Sequence, residues 1–345
     1  MVNQKMHNQL IISIIGPTGV GKTAAAWWLA QQLITKRLVK GVDLIVVDSR
    51  QVYRGLTTIT SADLPSGVTL QSSRPITFAT TDKSIIWHGV GIIAPTADWS
   101  VVDFQRLAVS VLDQSKQNSR LPILVGGSWL YHRQWSNLDL ATLPGPDLEL
   151  RSKLAAKSTM GLQDIVRRLN PERWNQLNRS DQHNPRRLIR AIEQALRPDS
   201  EKARYNRLSR ISSHQIMKIV TNGRSLMIGL NLPWLDLTRR IKARVEQRWH
   251  SAVTIEEVKQ LAQLVPDRQR PIWSAMGISE IDQWLTGRIS GSECLAKWQR
   301  SEINYAKRQL KWWQDDVAVN WLTANHPNFY NQLWELVTKK WQPLD

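Results

Sequence analysis

The sequence has one cysteine, Cys294. No disulfide can form within the chain, and a zinc site built on cysteines is excluded. A lone thiol of this kind reads as a buried, inert residue of a cytoplasmic protein. Long apolar runs are also missing. The apolar stretch Leu10–Ile15 is strand-sized, too short to cross a bilayer, and residues 1–10 lack a signal-peptide pattern. No membrane association is expected, and nothing asks for a second copy, so a monomer is. Phenylalanine is scarce, three against 17 tryptophans, and most tryptophans, such as Trp27 and Trp28 in a helical pattern, are expected in the core. Acidic residues number 29 against 46 Lys and Arg, leaving a formal charge of +17. Such a surplus points to a polyanionic partner, nucleic acid first. Apolar residues make up 42% of the 345 positions, enough to bury a core and to exclude wholesale disorder.

Strand and helix signals alternate through the first part of the chain. Leu10–Ile15 is a continuous apolar run, as a buried parallel strand should be; Asp43–Val47 reads as a second strand and Leu121–Val125 as another buried one. Residues 85–93 hold a weaker strand. Helical patterns cover 22–38 and 102–117. This alternation implies an α/β fold, a parallel sheet flanked by helices on both faces. From about Asp139 to Ser213 the character changes to charge and helix formers, with short helices expected over 148–156, 161–169 and 185–196. Ser225–Asn231 then restores a strand, and helices follow over 233–250, 254–264 and 293–313. The simplest organisation is a core formed by residues 1–138 and completed by 223–345, with an all-helical insertion domain at 139–222.

Gly16-Pro17-Thr18-Gly19-Val20-Gly21-Lys22-Thr23 fits the P-loop pattern and lies between a buried strand and a helix, the context that pattern requires. Its glycines let backbone N–H groups curl around a diphosphate, and the helix amino terminus adds its positive end. Lys22 supplies a mobile cation, and the Thr23 hydroxyl can hold Mg²⁺. The loop does not choose between a nucleoside triphosphate and another diphosphate. Asp48 follows the second strand, and active groups in open parallel sheets gather at carboxyl ends. It could hold a metal through water, act as a general base, or cap a turn.

Beyond this point the residues resemble a known family. Gly-Pro-Thr-x-x-Gly-Lys-Thr, then Val47-Asp-Ser-x-Gln-Val-Tyr-Arg-Gly55, then Leu121-Pro-Ile-Leu-Val-Gly-Gly-Ser-x-Leu-Tyr131 are similar to segments of the tRNA dimethylallyltransferases. Asn184-Pro-Arg-Arg-Leu-Ile-Arg190, the helix Arg240-Ile-Lys-Ala-Arg244 and Tyr305-Ala-Lys-Arg-Gln-Leu-Lys-Trp312 continue in the family's order. The resemblance implies a P-loop NTPase-like core and transfer of a dimethylallyl group from dimethylallyl diphosphate to N6 of the adenosine 3′ to the anticodon of tRNA, with Mg²⁺. It implies that residues 16–23 hold the donor diphosphate, that Asp48 is the base, and that Thr23 and Arg240 assist catalysis. Ser49, Gln51 and Tyr53 would line the adenine and donor pocket. Arg244 would sit with Arg240 near the pyrophosphate, Arg187 and Arg190 would clamp the anticodon arm, and Lys307, Arg308 and Gln309 would pack near the active site and RNA.

The chain departs from the family pattern at Thr60, Asp63, Ala94, Ile278 and Ser279. Asp63 stands where a lysine is usual, which puts an RNA or phosphate contact there in doubt. Competing readings are a small-molecule P-loop kinase or triphosphatase, a transferase acting on free AMP, and an RNA-binding module with a decayed site. Intact Lys22, Thr23 and Asp48 speak against decay, and the basic insertion favours RNA over a mononucleotide.

Overall fold

A computed structural model describes residues 10–62, 64–73, 76–134, 147–197, 225–314 and 316–340. They fall in two compact units, one drawn from Met1–Ser136 and Ser213–Asp345 and the other from Asn137–Ser212. The boundaries expected at 138/139 and 222/223 lie outside the described residues, as does Asp63.

The larger unit is built on an eight-stranded sheet in the order β3-β4-β5-β2-β6-β1-β7-β8. Its strands are β1 (Ile11–Ile15), β2 (Val42–Val46), β3 (Val68–Ser73), β4 (Ile76–Thr80), β5 (Ile85–His88), β6 (Leu121–Val125), β7 (Ser225–Asn231) and β8 (Val319–Thr323). The three inner strands read from the sequence become β1, β2 and β6, buried at every residue. They lie side by side and parallel, with Ile12 opposite Ile123 and Leu44 opposite Ile123. A strand covered on both faces has no polar side to alternate with, which is why these read as largely apolar segments.

The sheet is mixed rather than wholly parallel. β3 and β4 form an antiparallel hairpin that pairs antiparallel with β5. The β3 sequence VTLQSS is half-buried or exposed throughout, so it lacks the apolar run of the inner strands. At the other edge β8 adds a parallel strand beside β7. Helices α1 (Lys22–Thr35), α2 (Val101–Gln117) and α3 (Trp129–Gln134) belong to the first part of this unit. α1 stops three residues before the expected end at Leu38, where Arg37 turns left-handed at φ 56°. A Ser100–Asp103 capping box opens α2. Trp27 and Trp28 are only half-buried and pack against the edge of the core rather than inside it.

The smaller unit carries α4 (Leu148–Ala155), α5 (Thr159–Leu169), α6 (Pro171–Gln176), α7 (Arg179–Gln182) and α8 (Pro185–Ala195). Asp147, Ser158, Asn170, Asn178 and Asn184 cap them in turn, each side chain accepting a first-turn backbone N–H. Leu154, Leu162, Val166, Leu177, Leu188 and Ile192 form a core of its own.

The larger unit closes with α9 (Trp234–Trp249), α10 (Ala252–Leu264), a 3₁₀ turn (Pro271–Ser274), α11 (Ile278–Leu285), α12 (Gly291–Trp313) and α13 (Phe329–Lys340). No helix among the described residues is long and apolar enough to cross a membrane. The buried stripe of α12 is Cys294, Trp298, Glu302, Ala306, Gln309 and Trp313. Cys294 is fully buried, and burial, with the Glu280 charge adding, pushes its thiol up to about 12. It is an inert core residue, as read from the sequence.

Candidate active site

The loops after β1, β2 and β6 emerge at the carboxyl ends of three adjacent strands and meet around one cavity of about 820 Å³. Lys22 and Asp48 both open onto it. So do Thr18, Gly19, Gly21 and Thr23 of the glycine-rich turn, Ser49 and Gln51 beyond β2, and Arg240, Arg244, Arg308 and Gln309 from the late helices.

The turn is held in shape by its neighbours. Gly21 has φ 106°, the conformation that lets the loop enter α1 and that a side chain would resist. The Thr18 backbone N–H donates to Gln309 Oε1 at 2.7 Å, and Thr18 Oγ1 accepts from Arg244 Nη2 at 2.5 Å. Gln309 reaches the loop because Gly127, after β6, has no side chain. A Cβ there would collide with Gln309 and come within 2.8 Å of the Gly16 carbonyl. Lys22 is not mobile: its ammonium donates to the Pro17 carbonyl at 2.8 Å. Burial lowers Lys22 to about 7, with Arg244 adding and Asp48 opposing. Pro17 contributes that carbonyl rather than a cavity surface, and Gly16 and the buried Val20 lie outside the lining.

Asp48 caps the turn that follows β2. Its Oδ1 accepts the N–H groups of Arg50 at 2.7 Å and Gln51 at 3.2 Å, the turn-capping arrangement. Its Oδ2 has no protein partner among the described residues, and Asp48 lines the cavity. Gln51 reaches across to the carbonyls of Thr60 at 3.3 Å and Ser61 at 2.9 Å, bracing a further wall of the cavity. Thr60 lines that wall, whereas Ile278 is core, and Ser279 and Ala94 are exposed outside the lining.

The arginine pair on α9 is unequal. Arg240 is exposed, lines the cavity, and has no hydrogen bond or ion pair among the described residues. Arg244 is half-buried and paired with Glu302 at 2.8 Å, although its Nε is buried without an acceptor. Thr23 lines the cavity, and its hydroxyl has no partner among the described residues.

Some expected residues are elsewhere. Tyr53 is fully buried and outside the lining, so it supports the turn after β2 from behind. Lys307 is exposed and outside it too, while its neighbour Arg308 stacks 5.6 Å from the Tyr305 ring. Arg187 and Arg190 are not free cations. Arg187 pairs with Asp181, and Arg190 pairs at 3.0 Å with the buried Glu193, which also takes Arg151 at 2.6 Å.

Sequence reading missed several lining residues. Arg50 donates to Ser274 Oγ at 2.7 Å. Tyr305 is kept a neutral phenol, raised to about 12 by burial, with the Asp48 charge adding. Trp27 and Trp87, rings 6.4 Å apart, give the cavity an apolar side with Val90, Leu64 and Met276. Glu302 and Arg248 also line it. For Glu302 a signal existed: it is a carboxylate on the apolar stripe of a helix, where a charge has to be paired.

Among the described residues no group of three or more His, Cys, Asp or Glu could hold a metal ion. A divalent cation here would lean on the Thr23 hydroxyl, phosphate oxygens and water, which is how Mg²⁺ is commonly held beside a diphosphate.

Comparison with known proteins places these features in a wider set. The family model for IPP transferase matches residues 51–316. The tRNA dimethylallyltransferase of Thermomicrobium roseum is 30% identical over 332 residues, 95% of this chain and 91% of the relative. That of Moorella thermoacetica is 31% identical over 318 residues, 90% and 89% of the two chains. The crystal structure of the full-length tRNA isopentenylpyrophosphate transferase from Bacillus halodurans is 27% identical. It matches with a TM-score of 0.62 over 96% of this chain and 97% of that one.

Proposed function

The chain belongs to the IPP transferase family, and on that premise we propose that it transfers a dimethylallyl group from dimethylallyl diphosphate to N6 of the adenosine 3′ to the anticodon in tRNA, releasing diphosphate. The observation that carries this reading is the shared cavity: a phosphate loop tipped by Lys22 and a carboxylate, Asp48, face the same space.

In the transfer, the bond between the allylic carbon and the diphosphate oxygen breaks, and the diphosphate keeps the electron pair. The N6 lone pair forms the new carbon–nitrogen bond, and Asp48 Oδ2 accepts the N6 proton. Negative charge grows on the leaving group, and groups aimed at developing charge accelerate a reaction more than those that grip the ground state equally. Those groups are the loop N–H donors, Lys22 and Arg240. The Thr23 hydroxyl would help to hold Mg²⁺ beside the diphosphate, and the ion would supply further positive charge there. The N6 lone pair is delocalised into the purine, so the nucleophile is weak and base assistance matters. The apolar side made by Trp27, Trp87 and Leu64 keeps water from the allylic carbon.

The purine has to leave its stack to reach Asp48, at a cost of a few kcal/mol that is lower in a single-stranded loop. The helical unit is read as the surface for the anticodon arm. With Arg187, Arg190 and Arg167 paired to Asp181, Glu193 and Asp164, the exposed Arg168, which has no ion pair among the described residues, is better placed to meet phosphates. Binding of that kind weakens steeply with salt. A tRNA substrate suits a cytoplasmic enzyme with a single buried thiol, and one chain supplies every residue named, so we read it as a monomer.

The test is direct. Incubation with dimethylallyl diphosphate, Mg²⁺ and bulk tRNA, followed by nucleoside mass spectrometry, should show an adenosine heavier by one dimethylallyl group. No such adenosine, with phosphate released from ATP instead, would convert the protein into a kinase or triphosphatase.

A further inference from the structure

Glu302 sits on the buried stripe of α12 and is 2% exposed. Its Oε2 accepts Arg244 Nη2 at 2.8 Å, and its Oε1 accepts Arg248 Nη2 at 2.5 Å and Trp298 Nε1 at 3.0 Å. Burial pushes this carboxyl up, but Arg248 and Arg244 outweigh it and hold it below the usual carboxylate range. Buried ion clusters are weak contributors to stability, since apolar residues of similar volume often do as well. The cluster is better understood from where each arginine goes next.

The two arginines reach different walls of the cavity. Arg244 donates to Thr18 Oγ1 on the phosphate loop. Arg248 Nη1 donates to the Ile59 carbonyl at 3.0 Å. Ile59 lies in the wall formed by residues 59–62, which is also held by Glu257 through the Thr58 N–H at 3.0 Å and the Ile59 N–H at 2.7 Å. Gln51, next to the Asp48 turn, grips the same wall through the Thr60 and Ser61 carbonyls. Arg244 Nε, buried without an acceptor, leaves that guanidinium a donor to spare for an anion.

We propose that Glu302 is a positioning residue that ties occupation of the phosphate loop to the geometry of the wall at residues 57–62. The proposal rests on the diphosphate reading of the loop. A diphosphate arriving there competes with Glu302 for Arg244. The Glu302 charge that Arg244 no longer takes turns to Arg248 and fixes in place that guanidinium, whose Nη1 holds the Ile59 carbonyl. The wall beside Asp48 is then set when the donor is present, and by linkage a seated purine strengthens donor binding by the same factor.

The test is hydrogen exchange of the segment 57–62 with and without inorganic pyrophosphate and Mg²⁺, in the natural chain, in Glu302→Gln and in Arg248→Met. Arg248→Met keeps side-chain bulk and leaves Glu302 paired with Arg244, so it carries the test if Glu302→Gln does not fold. In the natural chain pyrophosphate should slow exchange at 57–62 by about fivefold or more, the lower end of typical site coupling, alongside protection at 16–23. In Arg248→Met protection at 16–23 should persist while the effect at 57–62 falls below about twofold. In binding titrations, Arg248→Met should weaken tRNA in the presence of pyrophosphate, and pyrophosphate in the presence of tRNA, by the same factor of about five, and leave pyrophosphate binding without tRNA within about twofold. Equal slowing at 57–62 in both proteins, or none in the natural chain, would overturn the coupling. Exchange needs no turnover, so a chain that prenylates tRNA without responding at 57–62 sinks the coupling alone. One that responds there yet prenylates nothing sinks the transfer reading alone.

Discussion

Lys22 should make donor capture depend on pH in a range where most enzymes of this kind are assayed. Folding buries the ammonium beside Arg244, and its pKa falls from 10.5 to about 7. At 1.36 kcal/mol per pH unit, keeping that lysine charged in the empty site costs about 5 kcal/mol relative to water. A bound diphosphate offsets this by supplying the missing countercharge. The sign follows from proton counting. Between about 7 and 10.5 the unfolded chain keeps the Lys22 proton and the folded, empty protein does not. Across that window folding stability therefore rises with pH through this group, while capture of an anion by the charged form falls. With tRNA saturating and dimethylallyl diphosphate varied from pH 6.5 to 9, kcat/KM for the donor should drop about tenfold per unit above pH ~7. The value of kcat should hold to higher pH, because it reports the complex in which the diphosphate keeps Lys22 protonated. Lys22→Arg should flatten the decline, since a guanidinium stays charged throughout. A flat kcat/KM for the natural chain, or the same decline in Lys22→Arg, would refute the burial account.

Asp48→Asn keeps a carbonyl oxygen to accept the Arg50 and Gln51 N–H groups but cannot take a proton. Rates measured at saturating donor and tRNA should fall about a hundred- to ten-thousand-fold with little change in donor KM. Gln309→Ala orphans the Thr18 N–H and opens space against Gly127. Its donor KM should rise about tenfold, which corresponds to one lost hydrogen bond of roughly 1.4 kcal/mol. Cys294→Ala should lower thermal stability by about 1 kcal/mol in a denaturation experiment and leave turnover unchanged. Alkylating reagents should likewise spare the natural chain, because the thiol is buried and raised to about 12.

The parts of the molecule that the sequence announces are those in which one local rule dominates. Apolar composition over strand-length segments named β1, β2 and β6, and glycine spacing named the turn that cradles phosphate. β3 stayed hidden because VTLQSS lies at an edge with little buried, so neither periodicity nor apolarity marks it. The site was legible in its first layer, Lys22 and Asp48, and obscure in what steadies them. Glu302 and Arg248 fall on the inward stripes of α12 and α9, among Trp298, Ala306, Ile241 and Val245, and Gln309, which the resemblance placed near the site, shares the α12 stripe. Polar residues at apolar spacing signal an internal partner, but the partner is hundreds of positions away, as Thr18 is from Gln309. In the other direction, the arginine-rich stretch at 186–190 looked available for RNA. Only the fold reveals that Asp181 and Glu193 already engage two of its members.

The order of strands also bears on how the protein is made. β1 is synthesised well ahead of β7, which begins at Ser225, yet β7 completes one of its two edges. At ordinary elongation rates the five-residue segment IISII waits on the order of ten to forty seconds for that neighbour. Throughout the delay it is an apolar ribbon with bare hydrogen-bonding groups, the kind of surface on which nascent chains stick to one another. The helical unit, with a core of its own, can fold during that interval. Yield of the intact protein should thus be governed by chaperone supply during translation more than by the stability of the finished sheet.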